Sequence, residues 1–287
     1  NLAAVTNVLT EMGVPPDLDS DGPIRFPHRR DGAADIYFLS NREDRGMRTL
    51  CQFRVSGRQP ELWDPMTGQT RALPQFTFNE GRTTIPLRFE PEQSFFVVFR
   101  KPSAVATAQE NNFPSLRDTD VKFSGPWTVS FDPKWGGPAK ITFASLEDWS
   151  QRPEPGIKYY SGQATYLKSF TLPAGMLEAG RKYFLDLGMV KNLARVRLNG
   201  RDLGVVWCPP WRVDVTDSLK EGDNRLEIEV ANLWPNRLIG DLSLPPKKQF
   251  TWTTLNPYKK DSPLLPSGLL GPVKLLQPTS PAWGRKN

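Results

Sequence analysis

The stretch from Tyr183 to Asp241 constrains the fold more than any other, because it alternates short strand-like runs with tight-turn residues. Ala194 to Leu198 alternates apolar residues with two arginines, and Asn199-Gly200 follows, a pair that adopts the positive φ angles of a two-residue hairpin turn. Leu226 to Val230 alternates just as cleanly after a second turn. Several short antiparallel strands separated by turn residues predict a β-sandwich.

The Leu226–Val230 strand also carries two glutamates, Glu227 and Glu229, at positions i and i+2. Glycoside hydrolases use a pair of carboxyl groups in catalysis. Two residues along a strand correspond to a rise of about 6.6 Å, which is compatible with such a pair. The apolar residues of the strand claim the core face, however, so both glutamates are expected on the solvent side. A general acid needs burial or a neighbouring like charge. A solvated face is therefore favoured over catalysis.

Length and composition indicate a folded chain and exclude several partners. The 287 residues are 38% apolar and 11% aromatic, which suffices for two domains with hydrophobic cores. The 37 Lys and Arg exceed the 31 Asp and Glu by six, but they are scattered, and no nucleic-acid-binding signature is present. No apolar run reaches the roughly 18 residues of a membrane span. The mild positive charge suits an acidic polysaccharide or an ordinary solvated surface.

Apolar residues recur at helical spacing at the start of the chain and predict one short amphipathic helix that stops near Gly13. A helix of three turns is marginal alone and needs a surface on which to bury its apolar stripe. Since the chain opens with Asn1 and no signal peptide, we expect a piece of a longer protein. The stripe consists of Leu2, Val5, Val8, Leu9 and Met12.

Strand-like runs continue from Ile24 to Lys101, after which periodicity is lost and Pro, Ser, Ala, Asn and Gln accumulate. We place a domain boundary near Leu116. The sequence thus predicts an all-β chain of two antiparallel β-sandwich domains with one short N-terminal helix. The predicted segments are a helix in residues 1–20, an accessory β-sandwich in 21–102, a linker in 103–116, a jelly roll in 117–278 and a disordered tail in 279–287.

A long irregular segment between Ile239 and Leu270 is unusual in a compact domain and indicates a function or an interface. Tryptophans near it offer flat apolar faces for sugar rings, although tryptophans of a β-sandwich are more often core. Prolines beside Trp211 and Trp234 place these two at strand ends or loops, where a ligand has access. The tryptophan candidates are Trp207, Trp211, Trp234 and Trp252.

A polar set follows the Leu226–Val230 strand on a predicted loop. Arg237 is its strongest candidate, since a planar guanidinium binds a carboxylate in two places. Two interpretations stay open: the set contacts a ligand or another domain, or Arg237 pairs with Asp241 and fixes the loop. The set comprises Asn232, Asn236, Arg237 and Asp241.

The remaining metal and redox candidates are weak. His28 has neither a cysteine nor a second histidine as company, so structural hydrogen bonding is expected, with an active-site-facing role for His28 and Arg29 as the alternative. Cys51 and Cys208 are expected to be buried free thiols and leave the redox compartment open. No cofactor is expected, although a structural calcium ion stays open on an oxygen-rich set that turn capping also explains. That set is Asp214, Thr216, Asp217 and Asp223.

Three groups of motifs carry a resemblance to a known family. The run LDLG…ARVRLNGRDLGVVW…PPWRVDVTDSLKEGDNRLEIEV resembles the galactose-binding-like jelly roll of glycoside hydrolase family 2 and related clans. The segment NLWPNRLIGD, with KYYSGQATYLKSF before it and SGLLGPVKL after it, narrows the resemblance to the C-terminal region of family 106 α-L-rhamnosidase-like enzymes. The resemblance covers nearly the whole chain.

The resemblance implies a bacterial parent enzyme, periplasmic or secreted, that hydrolyses rhamnosides in plant or algal polysaccharide with inversion, using two glutamates on a barrel. It also implies that the N-terminal helix, and the HRR…ADIYFLSN segment with His28 and Arg29, lie near that barrel. No part of this chain shows the strand-helix alternation of such a barrel. We therefore expect a non-catalytic accessory or carbohydrate-binding portion, whose partners are carbohydrate and the N-terminal catalytic barrel. The alternatives are an independent carbohydrate-binding or lectin-like protein and, third, a complete small hydrolase.

Overall fold

The computed structural model describes residues 2–103, 107–108 and 111–279. The chain divides into two compact units, residues 1–114 and 115–287. Throughout the described ranges the ladders between named strands are antiparallel, and helices are short and few. The predicted all-β class, with two antiparallel sandwiches and one short N-terminal helix, is confirmed.

The first unit opens with helix α1 (Leu2–Glu11), whose apolar residues Val5, Val8 and Leu9 are exposed. Strands make up the rest of it. They are β1 (Leu18–Ser20), β2 (Ile24–Arg25), β3 (His28–Asp31), β4 (Ala34–Asn41), β5 (Met47–Phe53), β6 (Arg58–Trp63), β7 (Thr70–Ala72), β8 (Phe76–Asn79), β9 (Arg82–Phe89), β10 (Ser94–Pro102) and β11 (Thr107–Ala108).

These strands form two sheets that share one core. One sheet has the order β1-β5-β9-β8-β11, and the other has the order β2-β4-β10-β6-β7 with β3 also paired to β4. Alternate residues of β4, β5, β9 and β10 point inward, as their period-2 apolar patterns require. Tyr37, Phe53 and Phe99 meet at the centre of this core.

The second unit contains twelve further named strands among the described residues. They are β12 (Leu116–Asp118), β13 (Trp127–Phe131), β14 (Ile141–Phe143), β15 (Gln163–Leu172), β16 (Phe184–Asp186), β17 (Met189–Lys191), β18 (Leu193–Leu198), β19 (Arg201–Val206), β20 (Arg212–Asp214), β21 (Gly222–Ala231), β22 (Gly268–Gly271) and β23 (Lys274–Pro278).

A six-stranded sheet, β14-β13-β15-β21-β18-β19, is the main layer of the second unit. A four-stranded sheet, β12-β23-β16-β20, and the pair β17-β22 supply the opposing apolar residues. Leu226, Ile228 and Val230 are buried in this core, as their alternation predicts. The hairpin turn is also confirmed, since Asn199 and Gly200 have φ angles of 53° and 83° between β18 and β19.

Short helices sit at the ends of these strands. They are α2 (Pro155–Lys158), α3 (Pro235–Asp241) and 3₁₀ turns at Pro133–Trp135, Trp149–Gln151, Thr216–Ser218 and Pro246–Lys248. The prediction of a loop over residues 232–241 was wrong from Pro235 onward. Proline at the first helical position carries the helical φ angle and lacks only an N–H that would be unpaired there, so it starts α3 instead of breaking it.

The element boundaries differ in detail from the predicted segments. Helix α1 ends at Glu11, and Leu18–Ser20 already pairs with β5. Inside the predicted linker, Thr107–Ala108 pairs with β8, and the buried Asn112 side chain bonds to the backbone of Gln75. Of the predicted disordered tail, residues 280–287 lie outside the described residues.

Candidate functional site

A cleft of about 640 Å³ opens on the outer face of the six-stranded sheet of the second unit. Its floor comes from β13, β15 and β21, and its walls come from the 3₁₀ turn at Pro133–Trp135, the start of α3 and the segment that follows α3. The cleft has the size typical of small-molecule sites. It is lined by Ser130, Phe131, Asp132, Trp135, Tyr160, Ser161, Gly162, Gln163, Thr165, Glu229, Trp234, Arg237 and Thr251.

Strand register places three polar side chains in one row across the floor. Ser130 faces Thr165, and Thr165 faces Glu229 on the next strand. Neighbouring strands lie about 4.8 Å apart, so this row presents two hydroxyl groups and a carboxylate at regular spacing. The alternation that buries Ile228 and Val230 leaves Glu229 on the cleft face, half-buried. The floor can therefore both donate and accept hydrogen bonds.

Two tryptophans stand at the cleft with large exposed faces. Trp234 is 71% exposed and Trp135 is 45% exposed. The turn that holds Trp135 is capped by Asp132, whose carboxylate accepts the backbone N–H of Lys134 at 2.9 Å. Gly136 follows with a φ of +84°, and a Cβ there would lie 2.7 Å from the Phe250 ring. The turn is thus held in a shape that only glycine permits, with Trp135 beside the cleft.

Arg237 is 3% exposed and lines the cleft from helix α3. Its Nε atom lies 2.9 Å from Oδ1 of Asp241, an ion pair whose N–H is not aligned for a hydrogen bond, and the guanidinium lies 4.8 Å from the Phe250 ring centroid. Burial lowers the pKa of Arg237 from its ordinary value, and Asp241 partly offsets this. Nε of Arg237 and Oδ1 of Asp241 are both buried without a hydrogen-bond partner among the described residues, so the pair keeps hydrogen-bonding capacity beside the cleft.

Asp241 and Asn236 brace the chain around Arg237. Oδ2 of Asp241 accepts the backbone N–H groups of Phe250 and Thr251 and the hydroxyl of Thr251. The Asn236 amide donates to the backbone carbonyl of Leu265 at 2.7 Å and accepts its N–H at 2.8 Å. These two residues therefore fix the long segment that follows α3. Of the two interpretations left open, the loop-fixing pair with Asp241 is present, while Arg237 still lines the cleft.

The other tryptophan candidates do not line the cleft. Trp211 is half-buried and packs against the core of the second unit. Trp207 and Trp252 are exposed on surfaces outside the cleft. Asn232 bonds through its amide to the carbonyl of Tyr160 and to the N–H of Gly162, which places it behind the cleft wall. Of the predicted contacts, the structure brings together only Trp234 and Arg237.

His28 and Arg29 lie in the first unit on β3. The ring of His28 stacks on Tyr37 at 4.1 Å, with Nδ1 at 3.2 Å from Asp17 and Nε2 at 3.1 Å from Asp35. Both ring nitrogens thus have carboxylate partners, as expected of a structural histidine. Arg29 is exposed on the same strand.

The two cysteines differ from one another. Cys51 is fully buried, and burial raises the pKa of its thiol to about 12, so it is chemically inert. Cys208 is half-buried, where the sequence predicted burial. Strand β19 ends at Val206 and β20 begins at Arg212, so Cys208 lies on the connection between these two strands.

The two glutamates of β21 are not equivalent. Glu227 pairs with Arg197 at 2.5 Å, across the β18–β21 ladder. Glu229 lines the cleft and makes no ion pair of 4 Å or less among the described side chains. Glu227 is therefore engaged by an arginine of the neighbouring strand, whereas Glu229 faces the cleft.

The oxygen-rich set around residue 214 serves the backbone. Asp214 accepts the N–H and hydroxyl of Thr216 and pairs with Lys182 at 2.9 Å. Asp223 accepts the hydroxyl of Thr171 at 2.7 Å. In the part of the chain that the structure describes, no group of three or more His, Cys, Asp or Glu side chains is placed to hold a metal ion.

Several cleft residues escaped the sequence analysis. Trp135 was not singled out, although its neighbours Asp132 and Gly136 mark a capped tight turn. Ser130 and Thr165 become neighbours only through register between strands 35 residues apart, which no local pattern reveals. Glu229 was assigned to a solvated face, and that assignment holds for the face but misses the cleft on it.

Comparisons with known proteins agree with this architecture. A family model described as alpha-L-rhamnosidase, glycoside hydrolase family 106, matches residues 2–78. A second, described as glycosyl hydrolase 2 galactose-binding domain-like, matches residues 154–250, which contain much of the cleft. The solved structure of a rhamnosidase from Novosphingobium sp. PP1Y superposes with a TM-score of 0.88 at 40% identity, over 95% of this chain and 26% of that one. The chain resembles a family 106 α-L-rhamnosidase.

A curated sequence is also similar to this chain. A protein of Formosa agariphila named "Putative beta-glucuronidase" is 33% identical over 251 residues, which are 78% of this chain and 21% of that protein. The chain thus spans about a quarter of the length of these relatives. It is a glycoside hydrolase-related protein with a galactose-binding-like domain. None of the helices in the described residues has the length and apolar character to cross a membrane.

Proposed function

We propose that this chain is a non-catalytic, carbohydrate-binding accessory portion of an α-L-rhamnosidase-like glycoside hydrolase, and that the cleft of the second unit is its sugar-binding site. The parent enzyme in this proposal acts on rhamnose-containing plant or algal polysaccharide outside the bacterial cytoplasm. The observation that carries the proposal is that exposed tryptophan faces and unused hydrogen-bonding groups meet in one cleft.

A sugar ring presents an apolar C–H face and a rim of hydroxyl groups, so its site needs both kinds of surface. Trp135 and Trp234 offer the flat faces. The Arg237 guanidinium, the Ser130 and Thr165 hydroxyls and the Glu229 carboxylate offer donors and acceptors in the same space. The galactose-binding-like match over residues 154–250 supports the same ligand class.

The non-catalytic part of the proposal rests on the carboxyl groups. Inverting glycosidases need two of them about 6.5–9.5 Å apart on either side of the scissile bond. Glu229 faces the cleft, but Glu227 is engaged by Arg197. Asp132, the other cleft carboxylate, caps a turn. The test is incubation with an aryl α-L-rhamnoside: we expect no aryl alcohol, and release that disappears in Glu229→Gln would overturn the non-catalytic assignment.

Binding is tested by calorimetric titration of the chain with rhamnose, galactose and neutral and pectic oligosaccharides. We expect submillimolar affinity for at least one oligosaccharide and a loss of about tenfold in Trp234→Ala, the size of a moderate aromatic contact. Trp252→Ala is the matched control, because Trp252 is even more exposed but does not line the cleft. Equal losses in the two variants, or binding unchanged in both, would exclude the cleft.

A packing role is the second candidate. The apolar stripe of α1 is exposed at Val5, Val8 and Leu9, although a helix this short needs a surface on which to bury its stripe. We propose the N-terminal catalytic barrel of the parent chain as the partner of this helix. Absence of heat with every glycan would favour this role over sugar binding. Restored helix protection in hydrogen exchange of a longer parent chain would support it.

A further inference from the structure

The ionisable side chains that line the cleft carry an uneven charge. The charged ones are Asp132, Glu229 and Arg237, and the positive charge of Arg237 is already matched by Asp241 at 2.9 Å. Two carboxylates therefore remain. No salt bridge to Asp132 or Glu229 occurs among the described side chains, so the cleft is acidic although the chain carries a net charge of +6.

Neighbouring basic groups do not cancel this charge. Arg195 faces Glu229 across the β18–β21 ladder and its charge attracts that of Glu229, but the guanidinium is bonded to Asp202 on β19, whose carboxylate balances it. Arg197, the next arginine of that strand, is bonded to Glu227. Each nearby arginine on the sheet is thus engaged by a carboxylate of its own. The two cleft carboxylates lack such an ion-pair partner among the described residues, so they leave an excess of negative charge at the cleft.

The hydrogen-bonding sense of the cleft agrees with its charge. An ionised carboxylate only accepts, so Glu229 and Asp132 need donors on the ligand. Sugar hydroxyls donate, whereas the carboxylate of a uronic acid and the sulfate of a sulfated sugar do not. An anionic substituent placed here would meet like charge and leave acceptors facing acceptors, which is how binding sites reject a wrong partner.

We infer that the cleft accepts an uncharged sugar residue and discriminates against uronic acids and sulfated sugars, with Glu229 as the principal selecting side chain. This inference rests on the proposed carbohydrate-binding function. According to this inference, the net positive charge of the chain plays no role in ligand selection. Arg237 then serves as a donor to sugar hydroxyls, since its charge is already balanced by Asp241.

The test compares one oligosaccharide backbone with and without its charge. Oligosaccharides of alternating rhamnose and galacturonic acid are titrated by calorimetry beside the same oligosaccharides after carboxyl reduction, which converts each uronic acid to neutral galactose. In 20 mM salt we expect at least tenfold tighter binding of the reduced form. Because exposed charges are screened by salt, the preference should shrink at 500 mM.

Glu229→Gln should narrow the preference at least threefold, since the amide keeps the shape and removes the charge. Glu227→Gln is the matched control, two residues along the same face and outside the cleft, and it should leave the preference unchanged. Asp132→Asn provides a second variant, because the amide oxygen can still cap the turn. Thermal unfolding of each variant confirms that it is folded.

The outcomes separate the two proposals. Binding of the galacturonic acid form as tight as, or tighter than, the reduced form would overturn the neutral-sugar inference and leave the carbohydrate-binding function standing. A preference that survives unchanged in Glu229→Gln and in Asp132→Asn would also overturn it. Binding of neither form, nor of any glycan in the earlier titrations, would overturn the carbohydrate-binding function itself.

Discussion

The charged cluster around His28 in the first unit and the cleft around Arg237 in the second use similar side chains to opposite effect. Both ring nitrogens of His28 have carboxylate partners, and Asp35 also forms ion pairs with Arg30 and Arg58. The cluster leaves no ring nitrogen for a ligand. It is rich in titratable groups, yet it is built as structure.

The cleft in the second unit keeps part of its bonding capacity unused. Asp241 balances the charge of Arg237 but engages only Nε, and Glu229 faces the cleft without an ion pair among the described residues. Trp234 exposes most of its surface beside them. The difference teaches that unused donors, acceptors and aromatic faces mark the binding candidate, whereas the density of charged residues does not.

The largest effect is expected from a substitution that disrupts the charged cluster around His28 in the first unit. Asp35→Ala leaves His28, Arg30 and Arg58 without their shared buried carboxylate, and we expect a loss of about 1.5–3 kcal/mol of unfolding free energy, the size of hydrogen bonds to a charged group. Denaturant unfolding measures it. Asp31→Ala, exposed on β3, is the control and should change stability by less than about 0.5 kcal/mol. A drop in sugar affinity with unchanged stability would contradict the structural role.

The next effect separates the two roles of Arg237. Arg237→Lys keeps a positive charge for Asp241 but loses the planar fork that reaches the cleft. We expect sugar affinity to fall about tenfold, which is about 1.4 kcal/mol. Unfolding free energy should fall by less than that, about 1 kcal/mol. Calorimetry and denaturant unfolding on the same sample test it, and a loss of stability without a loss of affinity would assign Arg237 to loop fixing alone.

A third prediction concerns the turn that carries Trp135. Gly136→Ala places a Cβ against the Phe250 ring and forces a left-handed conformation on alanine, at a cost of about 1–2 kcal/mol. The turn should shift, and affinity should fall about threefold through Trp135. Gly175→Ala is the control, since its φ is also positive but its Cβ would meet no neighbouring atom. Equal affinity in both variants would remove Trp135 from the site.

The smallest effect is a pH dependence of the first unit. Burial raises the pKa of Asp17, but hydrogen bonds from His28 and Arg54 outweigh it, so the pKa lies below its usual 3.8. The unfolded chain therefore takes up the proton first as pH falls, and stability from Asp17 is present above about pH 4 and lost below it. Asp17→Asn should reduce the dependence of the unfolding free energy on pH between pH 4 and pH 2. An unchanged slope would show that Asp17 is not tightly held.

The sequence predicted the sheets better than the site, for a physical reason. The alternation of Leu226, Ile228 and Val230 reports burial directly, because a strand presents alternate residues to one face. The hairpin at Asn199-Gly200 was equally legible, since few residue pairs adopt its φ angles. Local patterns of this kind suffice for strands and turns.

The cleft depends on the pairing of distant strands instead. Ser130, Thr165 and Glu229 become a row only through register across β13, β15 and β21. Trp234 was found from its proline neighbour, and Arg237 from its chemistry. Asn236 and Asp241 were chosen by the same argument, but their side chains are hydrogen-bonded to the backbone of the segment that follows α3. Residue type indicated where polar groups cluster but not which of them keep a free bonding position.

Sugar binding at the cleft is tested most directly by the indole N–H signals of the nine tryptophans in a ¹⁵N-labelled sample titrated with a neutral rhamnose-containing oligosaccharide. Single Trp→Phe variants assign the signals. We predict shifts at Trp135 and Trp234 that saturate together, with Trp207, Trp211 and Trp252 unmoved. Saturating shifts at Trp207 or Trp252 without any at Trp234, or no shift at millimolar ligand, would contradict the assignment of the cleft.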